Sequence, residues 1–148
     1  MKICIITIGS ELLNGSRLDT NSNWISKNVI LHGGEILSKS CILDKEKDIF
    51  VALDNIFKCD IDMIIITGGL GPTHDDITAT SLYKYFNDKP KFDAPYWEIL
   101  KDRFKSKGYD VSNLNKSQAF VPSKGDIIPN LIGTARGLIF EYNEVKII

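Results

Sequence analysis

The sequence predicts an α/β fold: a three-layer αβα sandwich around a mainly parallel sheet that finishes in a C-terminal antiparallel hairpin. Two apolar runs, residues 3–8 and 63–66, are rich in β-branched residues and lack polar alternation, the pattern of strands buried on both faces. Stretches of helical period separate the strand-like ones, so the order to residue 86 reads β-α-β-α-β-α, which implies parallel pairing and helices on both faces. The last apolar runs, 137–140 and 144–148, are divided by Tyr142-Asn143, as in a hairpin.

Each element has a local reason. The first strand ends at Gly9 and is followed by the polar, acidic turn Ser10-Glu11-Leu12-Leu13-Asn14-Gly15. A helix over 21–32 carries Trp24, Ile25 and Val29 on one stripe, with Asp19, Thr20 or Asn21 to cap its start and Gly33-Gly34 to close it. Residues 35–42 alternate weakly and read as a strand. Residues 44–57 place Ile49, Phe50, Leu53, Ile56 and Phe57 at amphipathic helical spacing. A helix follows to about residue 86, stopped by Asn87-Asp88-Lys89-Pro90, and Asp93-Ala94-Pro95 opens another through Tyr96, Trp97, Leu100 and Phe104. Those aromatics read as core packing, not as base-stacking surface. A short helix over 112–120 is stopped by Pro122.

At 148 residues the chain is expected to form a single domain, 1–148, burying roughly two thirds of its unfolded surface. A hydrophobic share of 43% with 25% charged residues is that of a soluble globular protein, and a net charge of −1 gives no field that would gather nucleic acid. No stretch is long enough to span a membrane, and residues 3–8 are too short for a signal peptide. Cys4, Cys41 and Cys59 match no zinc spacing and read as reduced thiols, buried as small apolar residues in a cytoplasmic protein.

The most informative stretch is Ile64-Ile65-Ile66-Thr67-Gly68-Gly69-Leu70-Gly71-Pro72-Thr73-His74-Asp75-Asp76-Ile77-Thr78. The glycines let a ligand lie against the backbone, and Pro72 suits a turn into a helix. Thr73 and Asp76 have capping-box spacing, so a helix is expected to start at Thr73 and aim free N–H groups at the loop, a ready anion site. Two carboxylates beside a phosphate imply a bridging divalent cation, by default Mg²⁺, with Mn²⁺ or Co²⁺ as alternatives. Neighbouring helical residues point about 100° apart, so Asp75 and Asp76 are not expected to share one role. A bare glycine loop is equally explained as an ordinary strand-to-helix connection.

The whole string resembles the T-G-G-x-G-x-x-x-x-D-x-T signature of the molybdopterin-binding domain family of molybdenum cofactor biosynthesis. Its Leu-Gly-Pro-Thr-x-Asp-Asp form is similar to the branch that contains competence/damage-inducible protein CinA and related nucleotide pyrophosphatases. Asn115-x-x-Gln118-Ala119 and the Pro129-Asn130-x-x-Gly133-Thr134-Ala135-x-Gly137-Leu138 stretch resemble the same branch, so the likeness covers essentially the whole chain. The resemblance implies that Asp76 is functional and metal-associated and that Gly9, Ser10, Thr67, Gly68, Gly69, Leu70, Gly71, Thr73 and Thr78 line a phosphate or ligand pocket. It implies a small nucleotide or pterin as ligand, hydrolysis of ADP-ribose or a similar dinucleotide, and assembly as a dimer or trimer. A non-catalytic binding module and a cofactor-biosynthesis adenylyltransferase are the alternatives.

Strand-end position adds Glu11, which with Asp75 and Asp76 forms the expected catalytic set; Glu11 and Asp76, joined by Asp75 and Asp19, form the expected metal set. Capping explains Asp19 and Asn21 equally well. His74 is expected to be exposed and without catalytic duty, and Arg136 to face phosphate. In the family the final strand leads into a Leu-Pro-Gly-x-Pro segment, but this sequence stops at Ile148. A chain truncated at its C-terminus and a pocket built differently are both open readings.

Overall fold

The computed structural model describes all residues, 1–148. Strand β1 (Lys2–Ile8) leads through one helical turn, α1 (Ser10–Leu13), to helix α2 (Thr20–Leu31). Then come β2 (Glu35–Ile42), α3 (Glu46–Ile56), β3 (Met63–Thr67) and α4 (Thr78–Tyr85). The remainder comprises β4 (Lys91–Phe92), α5 (Ala94–Ser106), a 3₁₀ helix (Asn113–Ala119), β5 (Phe120–Val121), β6 (Asp126–Ile128), β7 (Gly137–Tyr142) and β8 (Val145–Ile147). Six strands form one mixed sheet in the order β2-β1-β3-β8-β7-β6, while β4 and β5 make a separate ribbon. β1 pairs in parallel with β2 and β3, β3 with β8, and β7 runs antiparallel to both of its neighbours.

From β1 the chain steps outward to β2, then returns across β1 to β3. Right-handed crossovers in opposite directions put α2 and α3 on opposite faces of the sheet. That double cover explains why consecutive residues Ile5 and Ile6 are both 0% exposed. Cys4, Ile6 and Ile8 face the main core with Ile49, Leu53 and Leu82. Reversal of direction places a crevice at the carboxyl ends of β1 and β3.

The predicted sandwich and hairpin are both present. The hairpin pairs Tyr142 with Val145, so its two turn residues are Asn143 and Glu144, one position later than expected. Both have positive φ, 49° and 66°, the backbone of a type I′ turn whose twist matches the strands. β6 had no sequence signal, because three residues are too few to show alternation.

Helix α2 overturns an expectation. Trp24 is 68% exposed, and the one buried residue of the helix is Ser22. Ser22, Ile25, Ser26 and Val29 recur at helical spacing and are the less exposed face. Trp24 lies two residues, roughly 200°, from Ser22 and therefore points to solvent. Asp19 caps this helix, its two carboxylate oxygens accepting from the Ser22 amide and hydroxyl at 2.9 and 2.6 Å.

The aromatic stripe of α5 packs as expected: Leu100 and Tyr96 are buried with Ala119 in a second small core, with Trp97 against it. Of the cysteines only Cys4 is buried. Cys41, on edge strand β2, is partly exposed, and Cys59, in the turn after α3, is exposed, correcting the expectation that they are interior. No helix is long and apolar enough to cross a membrane.

Candidate functional site at the strand ends

The loop after β3 crosses directly over the end of β1. Gly68 has φ 106°, and a Cβ there would lie 2.0 Å from the Ile8 carbonyl oxygen, so any side chain would collide with backbone. The loop is tied to α4: Thr78 donates its amide to Gly69 O at 3.1 Å and its hydroxyl to Gly68 O at 2.8 Å. Helix α4 therefore starts at Thr78 with Ile77 as its N-cap, four residues later than a Thr73 cap would give, and its first amide is already bonded to the loop.

Thr73 and Asp76 do bond each other, but in a separate turn outside the helix and without the return bond of a capping box, since the Asp76 amide donates to the Thr73 carbonyl and not to its hydroxyl. Asp76 Oδ2 accepts from the Thr73 amide at 2.9 Å and from the Thr73 hydroxyl. The anion cradle expected at a Thr73 helix start is thus not built. Instead the turn aims Asp76 back over the loop, its Oδ2 2.4 Å from where a Gly71 Cβ would be. Burial works against its charge, but donors from Thr73 and Gly71 outweigh that and hold its carboxyl below the ordinary value.

A cavity of about 730 Å³ opens at these strand ends. Eight predicted site residues line it: Ser10, Glu11, Asp19, Thr67, Gly68, Gly69, Asp75 and Asp76. Other charged and polar chains join them, Asp44, Arg17, Lys45 and Asn21 among them. Asp44 follows β2, accepts from the Ser10 amide at 2.8 Å and so anchors the turn that carries Glu11. Arg17 stands 3.8 Å from Glu11, Lys45 lines the rim, and Asn21 donates to Thr67 Oγ1 at 3.3 Å. Asp44 was missed by sequence reading, although it too sits just past a strand end and the rule used for Glu11 would have found it.

The other predicted residues are placed elsewhere. Gly9 is buried behind the Glu11 carboxylate, Thr78 is buried beneath the loop, and Thr73 acts on Asp76. Leu70 and Gly71 line a second cavity of about 280 Å³, on whose wall Gly69 and Asp76 also stand. His74 is exposed and lines neither of these two cavities. Carboxylates ring the polar cavity without converging: no three His, Cys, Asp or Glu side chains are close enough to hold one ion among themselves.

Arg136 does not face the polar cavity. It is buried, donates from Nη1 to Asp93 Oδ2 at 2.6 Å, and stacks 3.6 Å above the Tyr96 ring centre. The Arg136 hydrogen bond in turn holds the Asp93 carboxyl below its ordinary value. Asp93 also caps α5, accepting from the Tyr96 amide at 3.0 Å.

A family model described as "Probable molybdopterin binding domain" matches residues 4–145, nearly the full chain. The chain belongs to the molybdopterin-binding domain family. Within that family it is 39% identical over 142 residues to a CinA-like protein of Flavobacterium psychrophilum, and 36% over 141 residues to one of Kosmotoga olearia. These alignments take in 93% and 95% of the chain but 33% and 34% of the relatives. The chain thus spans about a third of the length of the curated relatives it matches. Its fold is similar to that of the CinA protein of Thermoplasma acidophilum, with TM-score 0.85, 28% identity, and coverage of 99% of this chain and 85% of that one. A tungsten cofactor synthesizing MoaB from Pyrococcus furiosus shares the fold at TM-score 0.57 and 19% identity, covering 99% of this chain and 78% of that one. The molybdopterin-binding domain family thus accounts for the sandwich, the hairpin and the glycine loop together.

Proposed function

We propose that this CinA-like domain binds a nucleotide phosphoanhydride of the ADP-ribose type in the polar cavity and hydrolyses it with a divalent cation, Mg²⁺ by default. The supporting observation is the gathering of Glu11, Asp19, Asp44, Asp75 and Asp76 on one cavity wall with the Gly68-Gly69 backbone, against two cationic side chains, Arg17 and Lys45. Phosphates entering such a site meet repulsion unless a cation lies between. The donor set fits Mg²⁺ in one respect and limits it in another: all its ligands are hard oxygens, but two protein carboxylates at most can reach one ion. Mg²⁺ accepts that arrangement, because it keeps water and takes phosphate oxygens as ligands.

Asp76 with Asp75 or Glu11 would hold the cation, which when bound neutralises phosphate charge and acidifies water. The protein's own contributions are positional. Thr73 fixes the Asp76 carboxylate and keeps it ionised, Asp44 anchors the Glu11 turn, and amides of the glycine loop hold the phosphate that does not react. A second reading is favoured by the lack of a preformed ion site: a molybdopterin or nucleotide binding module without turnover.

The test is to incubate the chain with ADP-ribose, NAD and ATP, each with Mg²⁺, Mn²⁺ or Co²⁺, and to follow AMP beside an Asp76→Ala control. AMP from ADP-ribose that vanishes without metal and in the variant is the expected result. Ligand-induced thermal stabilisation with no turnover would replace hydrolysis by the binding-module reading.

A further inference from the structure

Four buried side-chain polar atoms in the chain lack a hydrogen-bond partner: Ser81 Oγ, Gln118 Oε1, and Nε and Nη2 of Arg136. Three of the four belong to two residues on the wall of the 280 Å³ cavity. Gln118 and Arg136 are 9% and 7% exposed, so bulk solvent does not reach these atoms. Buried polar groups are normally paired, and a cluster of orphans on one cavity marks a place that a ligand completes.

The chemistry of that ligand follows from the orphans and the rest of the wall. Arg136 has only donors to offer, while Gln118 Oε1 only accepts. A phosphate would satisfy the guanidinium but would face both the Gln118 oxygen and the Asp76 carboxylate across the cavity. Apolar side chains, among them Leu70, Tyr83, Phe120 and Leu138, make up much of the remaining surface. A flat, neutral group with an acceptor beside a donor on one edge meets all these conditions. Nitrogen heterocycles have that edge.

We infer that the small cavity is a binding site for a planar nitrogen heterocycle, a nucleobase-like head group, whose acceptor is taken by Arg136 and whose N–H is taken by Gln118. Because Gly69 and Asp76 belong to both walls, a ring seated here leads its phosphate-bearing chain directly into the polar cavity. This placement deepens the phosphoanhydride reading above and rests on it for the link between the two cavities. The three orphan atoms are shielded in the free chain, so entry involves rotation of the Gln118 amide and a small shift of the guanidinium off its neighbours.

Three probes test it by calorimetry or saturation-transfer NMR: adenosine, purine riboside, which lacks only the exocyclic amine, and pyrophosphate with Mg²⁺. Adenosine is expected to bind the unmodified chain, and purine riboside about tenfold more weakly, the loss from one unmade buried hydrogen bond. Gln118→Leu should erase that preference by weakening adenosine alone. Thr80→Phe, at an exposed position of α4 on the cavity rim, should weaken both nucleosides at least about tenfold while the fold is kept. Pyrophosphate binding should respond to Asp76→Ala and not to Thr80→Phe. No adenosine binding, equal affinity for the two nucleosides, or indifference to Thr80→Phe would overturn the head-group site. If pyrophosphate binds in that case, the phosphate reading survives alone. If adenosine behaves as expected and pyrophosphate does not bind, the phosphate reading fails and the heterocycle site stands.

Discussion

The two cavities share Gly69 and Asp76 yet are built in different ways. The polar one is made where strands end, from the turns after β1, β2 and β3, each within a few residues of the strand that positions it. The small one is assembled from remote segments, with α4, the 3₁₀ helix and the stretch before β7 brought together. Its charged group is buried and tied to Asp93 across 43 residues of sequence, whereas the carboxylates of the polar cavity remain in contact with solvent. Exposed charge is cheap to keep and free to bind; buried charge is held by the fold. Substitutions at the buried ion pair beside the small cavity should therefore cost stability, and substitutions of the exposed carboxylates of the polar cavity should cost ligand affinity.

The shared loop should give the largest effect. Gly68→Val puts a branched side chain into the Ile8 carbonyl at a positive φ, and at least about 3 kcal/mol of unfolding free energy should be lost in urea denaturation. A loss under 1 kcal/mol would mean the loop is free to move off β1. Next, Asp93→Ala leaves Arg136, whose side chain is 5% exposed, without its counter-ion and removes a helix cap, at a cost of about 3 kcal/mol or more. By contrast, Asp76→Asn should cost only about 1 kcal/mol while abolishing metal-dependent ligand binding. Similar stability losses for Asp93→Ala and Asp76→Asn would erase the distinction between the buried ion pair and the exposed carboxylates.

How much of this was legible in the sequence follows the same divide. β1, β3 and the glycine loop are local patterns: a β-branched run, then residues without Cβ, then carboxylates. Eight of the residues singled out, some from those patterns and some, such as Ser10 and Thr67, from the family resemblance, do share one cavity. The capping-box spacing of Thr73 and Asp76 gave the right contact in the wrong element, because a four-residue spacing fits a turn as well as a helix start. Trp24 misled because hydrophobicity was taken as inwardness, while Ser22, small enough to lie against the sheet, fills the buried position. Pairing of Arg136 with Asp93 had no local signal. Guanidinium and carboxylate meet only after α5 has folded back, so a glycine-flanked arginine looked like a phosphate ligand.

The acid limb of stability offers a smaller effect that both regions share. Asp19, Asp76, Asp88 and Asp93 all have folded-state carboxyls lowered from an ordinary 3.8. As pH falls, the unfolded chain takes up these protons first, so their stabilisation is complete well above pH 3.8 and is lost as pH drops through 3.8 toward the lowered values. Thermal midpoints should be nearly level from pH 7 to 5 and fall steeply below 4. For Asp88, burial disfavours the charge, but the hydroxyl and amide of Ser123 and the amide of Lys124 overcome it. Asp88→Asn should therefore make the acid limb shallower, and an unchanged limb would remove Asp88 from the set.

The smallest effect belongs to the surface that the sequence mistook for core. With 68% of Trp24 exposed and no hydrogen bond to its indole, Trp24→Ser should change unfolding free energy by no more than about 0.5 kcal/mol. Ser22→Trp on the same helix is the matching experiment, since Ser22 is 1% exposed and its hydroxyl bonds Asp19 at 2.6 Å. Overpacking there should cost about 1–3 kcal/mol and, by displacing Asp19, weaken ligand binding in the polar cavity. If instead Trp24→Ser proved the costlier of the two, α2 would have to sit on the sheet by its other face, and Asp19 and Asn21 would leave the site with it.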